Sequence, residues 1–199
     1  MGLFGWWTRR PGGGGREPVP PEPRLGPSGP LVRLLAAARE AVESGERRPQ
    51  VLLAGPPSGR TIETLAAAGF RVTVDGEPEP RPPLGHPDGR FDLVLAFDLP
   101  DGLPDEQVEA LLAEWGRVLR PGGTLWFLAG CEEGGAAPLR RWDLWPDGSL
   151  SSRDVLRRQD RGCRRRSNRD LERLARPLGG AEITLRRDGL REIVCRRRN

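Results

Sequence analysis

The stretch VLLAGPPSGRTIETLAAAGFRVTVDG, residues 51–76, holds the residue types and spacing that suggest nucleotide chemistry. An apolar strand leads through a loop with Gly55 and Gly59 into a helix, and a second strand ends at Asp75. Glycine lets backbone approach a ligand closely, and an acid at a strand tip can accept hydrogen bonds from ribose hydroxyls. The pattern indicates a nucleotide-binding βαβ unit. The alternative for Asp75 is a surface acid that opens a turn.

Three further side chains have types suited to proton transfer or ligand contact. His86, the single histidine, lies in LGHPDGR and suits a general base or an orienting group. Its alternative is an exposed loop residue. Asp98 and Asp101 follow a predicted buried strand, at the mouth where ligands bind in open α/β sheets. They can equally cap the next helix.

The last third of the chain is basic. Residues 140–199 hold 18 Arg against 9 acids, whereas residues 1–139 hold 14 Arg against 19 acids. Such a surface can attract nucleic acid or another anionic partner in a salt-dependent way. The alternative is a solvated helix face in a protein that contains no Lys. The arginines predicted to contact such a partner are Arg157, Arg158, Arg161, Arg164, Arg165 and Arg166.

The cysteines and the histidine do not form a metal-binding pattern. Cys131, Cys163 and Cys195 are widely spaced and lack a C-x-x-C pairing, and the chain has one histidine. This composition excludes an ordinary Cys/His zinc site. We expect free thiols in a reducing compartment, and therefore a cytoplasmic protein.

The composition divides the chain into a leader and one domain. Residues 1–27 are rich in Pro and Gly and predict a flexible leader, while residues 28–199 are long enough for one α/β domain. Trp6 and Trp7 precede two arginines and could make weak contact with a membrane surface. No stretch reaches the ~20 apolar residues that span a bilayer.

From Ser28 onward, predicted helices and strands alternate. Ser28 suits the N-cap of a helix that ends at Gly45, and RPGG at 120–123 predicts a turn. The strands are nearly continuous apolar runs, which is typical of a parallel sheet covered on both faces. Strands are predicted at 50–54, 70–75, 91–97 and 124–130, and helices at 60–68 and 104–119.

The region after residue 140 has weaker patterns. Ser151 with Asp154 predicts a capping box and a short helix. A second helix is predicted at 168–178, and two strands about Asp188-Gly189 predict a hairpin.

This order of elements resembles the class I S-adenosylmethionine-dependent methyltransferase fold. The phrases that carry the resemblance are VLLAGPPSGRTIETLAAAGFRVTVD, LGHPDGRFDLVLAFD, VLRPGGTLWFLAG and GGAEITLRRDGLREIV, over residues 50–130 and 168–197. The resemblance implies a Rossmann-like, mostly parallel sheet with helices on both faces and a C-terminal antiparallel β-hairpin. It also implies S-adenosylmethionine as cofactor and methyl transfer to an acceptor that remains unknown.

The resemblance also implies which residues surround the cofactor. Gly55, Ser58, Gly59 and Asp75 match the family's cofactor positions. Leu53 stands where the family has an acid before the loop, and Pro57 stands at its middle glycine. Proline fixes φ and has no N–H, so the loop is degenerate for its usual task.

A second departure follows Asp75. Only the Pro-rich residues 76–90 connect it to the next strand, where the family has a helix and a further strand. The resemblance therefore implies that one helix–strand unit is missing, together with the acid that faces the adenine amino group in the family. Glu77 and Glu79 are weak candidates to replace that acid.

Two functional hypotheses follow from these residues. The first is a compact methyltransferase that uses S-adenosylmethionine. The second is a catalytically inactive methyltransferase-like scaffold whose Arg-rich residues 140–199 bind an anionic partner. Leu53, Pro57 and the shortened connection favour the second hypothesis, and the retained Gly55, Gly59 and Asp75 favour the first.

Overall fold

The computed structural model describes most of the chain with a few gaps. It describes residues 24–55, 58–75, 82–97, 103–129, 136–162, 166–186 and 190–198, with backbone only for 136–140 and 153–162. Trp6, Trp7, Pro57, Glu77 and Glu79 lie outside the described residues, as does the predicted turn at 188–189.

A six-stranded mixed sheet forms the centre of the domain. Its strands are β1 Gln50–Ala54, β2 Arg71–Asp75, β3 Phe91–Ala96, β4 Leu119–Ala129, β7 Ala181–Leu185 and β8 Arg191–Arg196. They are arranged in the order β2-β1-β3-β4-β8-β7, in which β2, β1, β3 and β4 pair in parallel and β8 pairs antiparallel with both β4 and β7. The predicted parallel sheet with an antiparallel C-terminal pair is confirmed.

Helices cover both faces of the sheet, because its central strands are apolar on both sides. On one face, Leu31 and Leu35 of α1 and Leu65 of α2 pack with the odd-numbered residues of β1. On the other face, α3 and α4 pack with the even-numbered residues, and Trp115 is buried there. The helices are α1 Gly29–Glu43, α2 Gly59–Ala67, α3 Asp105–Val118 and α4 Asn168–Ala175, followed by a 3-10 turn at Arg176–Leu178.

Side-chain caps fix where three of these helices begin. Ser28 accepts a hydrogen bond from the Leu31 amide, as its predicted role as N-cap requires. Ser58 caps α2 in the same way, and Ser167 forms a capping box with Asp170 at α4.

Two predictions about local structure are wrong. Ser151 and Asp154 do not start a helix, since they lie within strand β6, Leu150–Gly162. This strand pairs antiparallel with β5, Ala136–Leu144, and forms a separate two-stranded sheet. The residues after this capping pattern do not form an apolar helical face that could pack on the core, so the segment forms a strand through its pairing with β5. Residues 120–123 also lie within β4, where the register against β3 shifts between Phe91 and Leu93.

The segment before α1 is attached to the β5–β6 hairpin. Leu25 exchanges backbone hydrogen bonds with Leu150, and the Ser28 amide donates to the Gly148 carbonyl across 2.9 Å. The hairpin therefore lies on the same face of the central sheet as α1 and α2. No helix among the described residues is long and apolar enough to cross a membrane.

Candidate functional site at the carboxyl edge of β1 and β2

The ends of β1 and β2 bring together Gly55 and Asp75. The Gly55 amide donates to the Asp75 carbonyl across 3.2 Å, and Gly55 adopts a φ of 100°. That backbone conformation favours glycine, because a side chain there is strained. The Asp75 side chain is half-buried, and within the described part of the chain its carboxylate makes no hydrogen bond or ion pair. Among the described residues, therefore, no group occupies its oxygens as hydrogen-bond acceptors.

Helix α2 begins directly beside these two residues. Gly59 is its exposed first residue, and a side chain added there would meet nothing within 4 Å. The Ser58 hydroxyl, in contrast, is buried and accepts from the Thr61 amide while it donates to the Thr61 hydroxyl at 2.9 Å. The Ser58 hydroxyl thus caps the helix, and the predicted contact of Ser58 with a cofactor stays a prediction.

Thr61 joins the start of α2 to the β5–β6 hairpin. Its hydroxyl donates to the Trp142 carbonyl across 2.7 Å and accepts from the Leu144 amide across 2.9 Å. One turn later, Thr64 donates to the Leu144 carbonyl across 2.8 Å. These bonds hold the first turn of α2, and with it the end of the loop that precedes it, against the hairpin.

Trp145 adds a second contact between the hairpin and α2. The guanidinium carbons of Arg24 and Arg60 lie 3.4 Å and 3.9 Å from the centre of its ring. Cation–π contacts of this kind stabilise by roughly 0.5–1 kcal/mol each at exposed sites. Arg60 follows Gly59 directly, so the stack places the segment at Arg24 beside the candidate site.

Aromatic side chains lie beneath this edge and are part of the core. Phe97 follows β3, and its ring is stacked on Trp142 at 5.9 Å and contacts Trp126 edge-on at 5.3 Å. Trp126 and Trp142 are fully buried. Trp142 is therefore unavailable for stacking on a nucleic acid base.

His86 lies at the opposite end of the sheet. Its ring contacts Phe91, the first residue of β3, edge-on at 5.2 Å, while Gly55 follows the last residue of the neighbouring β1. Five residue steps along β3 separate the two ends by about 16 Å. The structure therefore does not bring His86 together with Asp75. Asp98 and Asp101 lie outside the described residues.

An ion-pair cluster fixes the segment around His86. Arg117 donates to the carbonyls of Leu84 and His86, and Glu114 accepts from the Leu84 amide across 2.8 Å. Arg117 also donates two hydrogen bonds to Glu114, which lower the pKa of that carboxyl from its ordinary value of 4.5. The cluster has a structural role at the amino end of β3.

The predicted anionic-partner surface loses one of its residues. Arg166 is only 3% exposed; it donates to the Leu103 carbonyl and forms an ion pair with Asp105 at 3.0 Å. Its assignment to a partner surface is therefore wrong. The side chains of Arg157, Arg158, Arg161, Arg164 and Arg165 lie outside the described part of the structure, so their role stays a prediction.

Sequence reasoning missed the contacts of Thr61, Trp142 and Trp145 at this edge. Thr61 and Trp142 are separated by 81 positions, and no local pattern in either segment indicates that they meet. The missed hairpin at 136–162 has the same cause, because pairing between strands is not encoded in short-range spacing.

The comparisons with known proteins point to one fold. Residues 80–127, which cover β3, α3 and part of β4, match a family model described as a methyltransferase domain. A solved S-adenosylmethionine-dependent methyltransferase from Methanosarcina mazei is similar with a TM-score of 0.50 at 13% identity, over 75% of this chain and 92% of that chain. No curated protein sequence matches.

A second solved structure is similar over more of the chain. It is the 1,6-didemethyltoxoflavin-N1-methyltransferase of Burkholderia thailandensis, with 1,6-didemethyltoxoflavin and S-adenosylhomocysteine bound. The TM-score is 0.50 at 18% identity, over 85% of this chain and 79% of that chain. At these identities the similarity concerns the fold.

Proposed function

We propose that the chain is a member of the class I S-adenosylmethionine-dependent methyltransferase family and that it binds S-adenosylmethionine at the carboxyl edge of β1 and β2. The match of residues 80–127 to a methyltransferase-domain model and the similarity of the fold support this proposal. The observation that carries the proposal is the Gly55–Asp75 pair. Gly55, at a φ of 100°, donates to the backbone carbonyl of Asp75, and the Asp75 carboxylate makes no hydrogen bond or ion pair among the described residues. The cofactor supplies an electrophilic methyl group on a sulfonium.

The residues fit the ribose end of the cofactor. Asp75 can accept hydrogen bonds from both ribose hydroxyls, which is how strand-tip acids act in dinucleotide folds. Gly55 and Gly59 leave room for close approach, since an added Cβ at Gly55 would come no nearer than 3.9 Å to the Phe97 carbonyl oxygen. These groups bind and orient a ligand and require no movement of the core.

The amino-acid end fits less well. Leu53 is buried at 1% exposure in the core beneath α1 and α2, so the position that holds an acid in the family offers no acceptor for an amino group. Pro56 and Pro57 supply no N–H donors. A lost charge-assisted hydrogen bond costs roughly 1.5–3 kcal/mol, or about ten- to a hundredfold in affinity. We therefore expect weak cofactor binding.

We also propose that a helix–strand unit after β2 is absent from this member of the family. In support, β2 is the outermost strand of the sheet among the described residues, and β3 pairs with the other side of β1. The unit would have covered the adenine side of the site, so its loss also lowers the expected affinity.

In this reaction the protein would mainly position the methyl donor relative to the acceptor. Holding acceptor and methyl group in line supplies much of the rate enhancement of a bimolecular transfer. Asp75 fixes one end of the donor, and Thr61 with the β5–β6 hairpin holds the start of α2.

The division into a leader at 1–27 and a domain at 28–199 stays a proposal, and within those bounds Leu25 already pairs with Leu150 of the domain. The cytoplasmic location is likewise a proposal. Cys195, the free thiol that the described residues contain, is buried and suits a reducing compartment.

Transfer of a labelled methyl group tests the activity. The protein is incubated with methyl-labelled S-adenosylmethionine and a cell extract, and label is measured in the small-molecule and macromolecular fractions. We expect the wild type and the Glu40→Gln variant to transfer label, since Glu40 is an exposed acid on α1. We expect Asp75→Asn to transfer little.

The inactive scaffold is the second candidate, and Leu53 and Pro57 favour it. If the wild type, Glu40→Gln and Asp75→Asn all transferred no more label than an incubation without the protein, the result would support the scaffold and contradict the proposed activity. Anion binding through the five arginines whose side chains are not described would then be the next function to measure.

A further inference from the structure

The outer edge of β2 offers unpaired backbone groups. The Arg71 amide donates to the Pro49 carbonyl and the Asp75 carbonyl accepts from Gly55, so residues 71, 73 and 75 bond toward β1. The backbone groups of Val72 and Val74 alternate with these and point away from β1. Among the described residues no strand pairs with that edge. An open edge of this kind is a template for another strand.

The charges of β2 are arranged symmetrically about its centre. The strand reads Arg-Val-Thr-Val-Asp, with Arg71 and Asp75 two positions from Thr73 and on the same face. Arg71 is exposed, and within the described residues neither Arg71 nor Asp75 has a charged partner. Val74, on the other face, is 38% exposed. The strand is therefore complementary to an antiparallel copy of itself.

We propose that the protein associates with a second copy through antiparallel pairing of β2 with β2 of the partner, about a two-fold axis at Thr73. In this register Val72 and Val74 of the two chains exchange hydrogen bonds, while Arg71 faces Asp75 of the partner subunit. The two charged residues form a pair without mutual backbone hydrogen bonds, the type in which side chains lie closest. The result is two symmetric ion pairs and one continuous sheet.

The other outer strand lacks this complementarity. In β7, antiparallel self-pairing about Ile183 would set Glu182 against Thr184 and Ala181 against Leu185. No ion pair would form, although Leu185 is 67% exposed. The two-fold pairing of β2 closes at two copies, whereas a β2-to-β7 contact would continue into an open chain. The structure therefore favours a dimer.

The interface is small, so we expect reversible association. A five-residue strand pair buries less than the ~1,200 Å² of ordinary stable interfaces. The inference rests on the geometry and charges of β2, and it shares the Asp75 carboxylate with the proposed cofactor site. Val72→Pro leaves Asp75 unchanged, so its effect on association is distinguishable from a failure of cofactor binding.

Sedimentation equilibrium of the full chain over a range of concentrations tests the pairing. We expect the wild type to move from monomer toward twice the monomer mass as concentration rises. Arg71→Glu places two like charges opposite each other and should raise the dimer dissociation constant at least tenfold. The double variant Arg71→Asp with Asp75→Arg restores both opposite pairs and should bring the constant back to within about threefold of wild type.

Val72→Pro provides a second test that does not depend on charge. It removes an outward N–H and leaves the bonds to β1 in place, so circular dichroism should show a folded protein that stays monomeric. A wild type that stays monomeric throughout, a mass that grows beyond two copies, or identical constants for all variants would overturn the proposal.

Discussion

The Thr61 hydroxyl donates a hydrogen bond to the Trp142 carbonyl across 2.7 Å, and it ties the first turn of α2 to strand β5. The same oxygen accepts from the Leu144 amide and from Ser58. Because Thr61 is 1% exposed, water cannot replace these bonds in the folded state. A single buried hydroxyl therefore connects the candidate cofactor edge to the hairpin.

Replacing Thr61 with Val should destabilise the protein. The change leaves the buried Leu144 amide without its acceptor and should lower the free energy of unfolding by about 1–3 kcal/mol. Urea titration followed by circular dichroism measures the loss. Thr73→Val is the matched control, since the Thr73 hydroxyl has no hydrogen bond among the described residues, and it should change stability little. Equal stability of the two variants would contradict the role of Thr61.

Glu192 should contribute strongly to stability. This buried carboxylate of β8 accepts from the Ser28 hydroxyl and the Trp126 indole and lies 3.8 Å from the Arg186 guanidinium. Glu192→Ala leaves buried donors unpaired and should cost about 3 kcal/mol. Glu182→Ala, on the exposed side of neighbouring β7, should cost far less in the same denaturation experiment. If Glu192→Ala lowered the free energy of unfolding no more than Glu182→Ala does, the buried contacts of Glu192 would make no net contribution to stability.

Glu114 should make stability depend on pH in the acid range. Hydrogen bonds from Arg117, and a further one from the Leu84 amide, lower the pKa of its carboxyl in the folded state below the ordinary 4.5. A carboxyl group whose pKa is lower in the folded state stabilises the fold at pH values above its pKa in the unfolded state. This contribution is lost as the pH falls through the pKa of the folded state. The difference in unfolding free energy between wild type and Glu114→Gln should thus shrink below about pH 4.5.

The control for this prediction is Glu40→Gln, which removes an exposed acid without a described partner. Its stability difference from wild type should stay flat over the same pH range. A Glu114→Gln profile parallel to the wild type would show that the pKa of Glu114 is unchanged by folding.

Cys195 should react slowly with thiol reagents while the protein is folded. Burial raises the pKa of its thiol to about 12, so little thiolate is present near neutral pH. In a Cys131→Ser, Cys163→Ser background, labelling by an aromatic disulfide at pH 8 should be at least about a hundredfold slower than in denaturant. Rapid labelling of the folded protein would contradict the burial of the Cys195 side chain between β8 and the helices α3 and α4.

The sequence predicts the parts of this fold that depend on local pattern. The β1–α2–β2 unit, the cap at Ser28 and the helix after Ser167 follow from short-range spacing and apolar periodicity. The region at Ser151 could not be predicted in this way. This region forms strand β6 because it pairs with β5, and Ser151 with Asp154 matches the pattern of a helix start only by chance.

The site shows the same division. Gly55 and Asp75 could be placed together because parallel strands end at one edge of a sheet. His86 could not be excluded from that edge by sequence, since its position depends on Arg117 and Glu114, about thirty residues away. The burial of Arg166 against Asp105 is equally invisible to a count of charges.

Isothermal titration of S-adenosylhomocysteine into the wild type and into Asp75→Asn tests the central proposal most directly. We predict saturable binding to the wild type, weaker than micromolar because Leu53 and Pro57 replace binding groups, and at least about tenfold weaker binding to Asp75→Asn. Glu40→Gln should bind as the wild type does. The absence of binding heat up to millimolar ligand, or equal affinities for wild type and Asp75→Asn, would contradict a cofactor site at this edge.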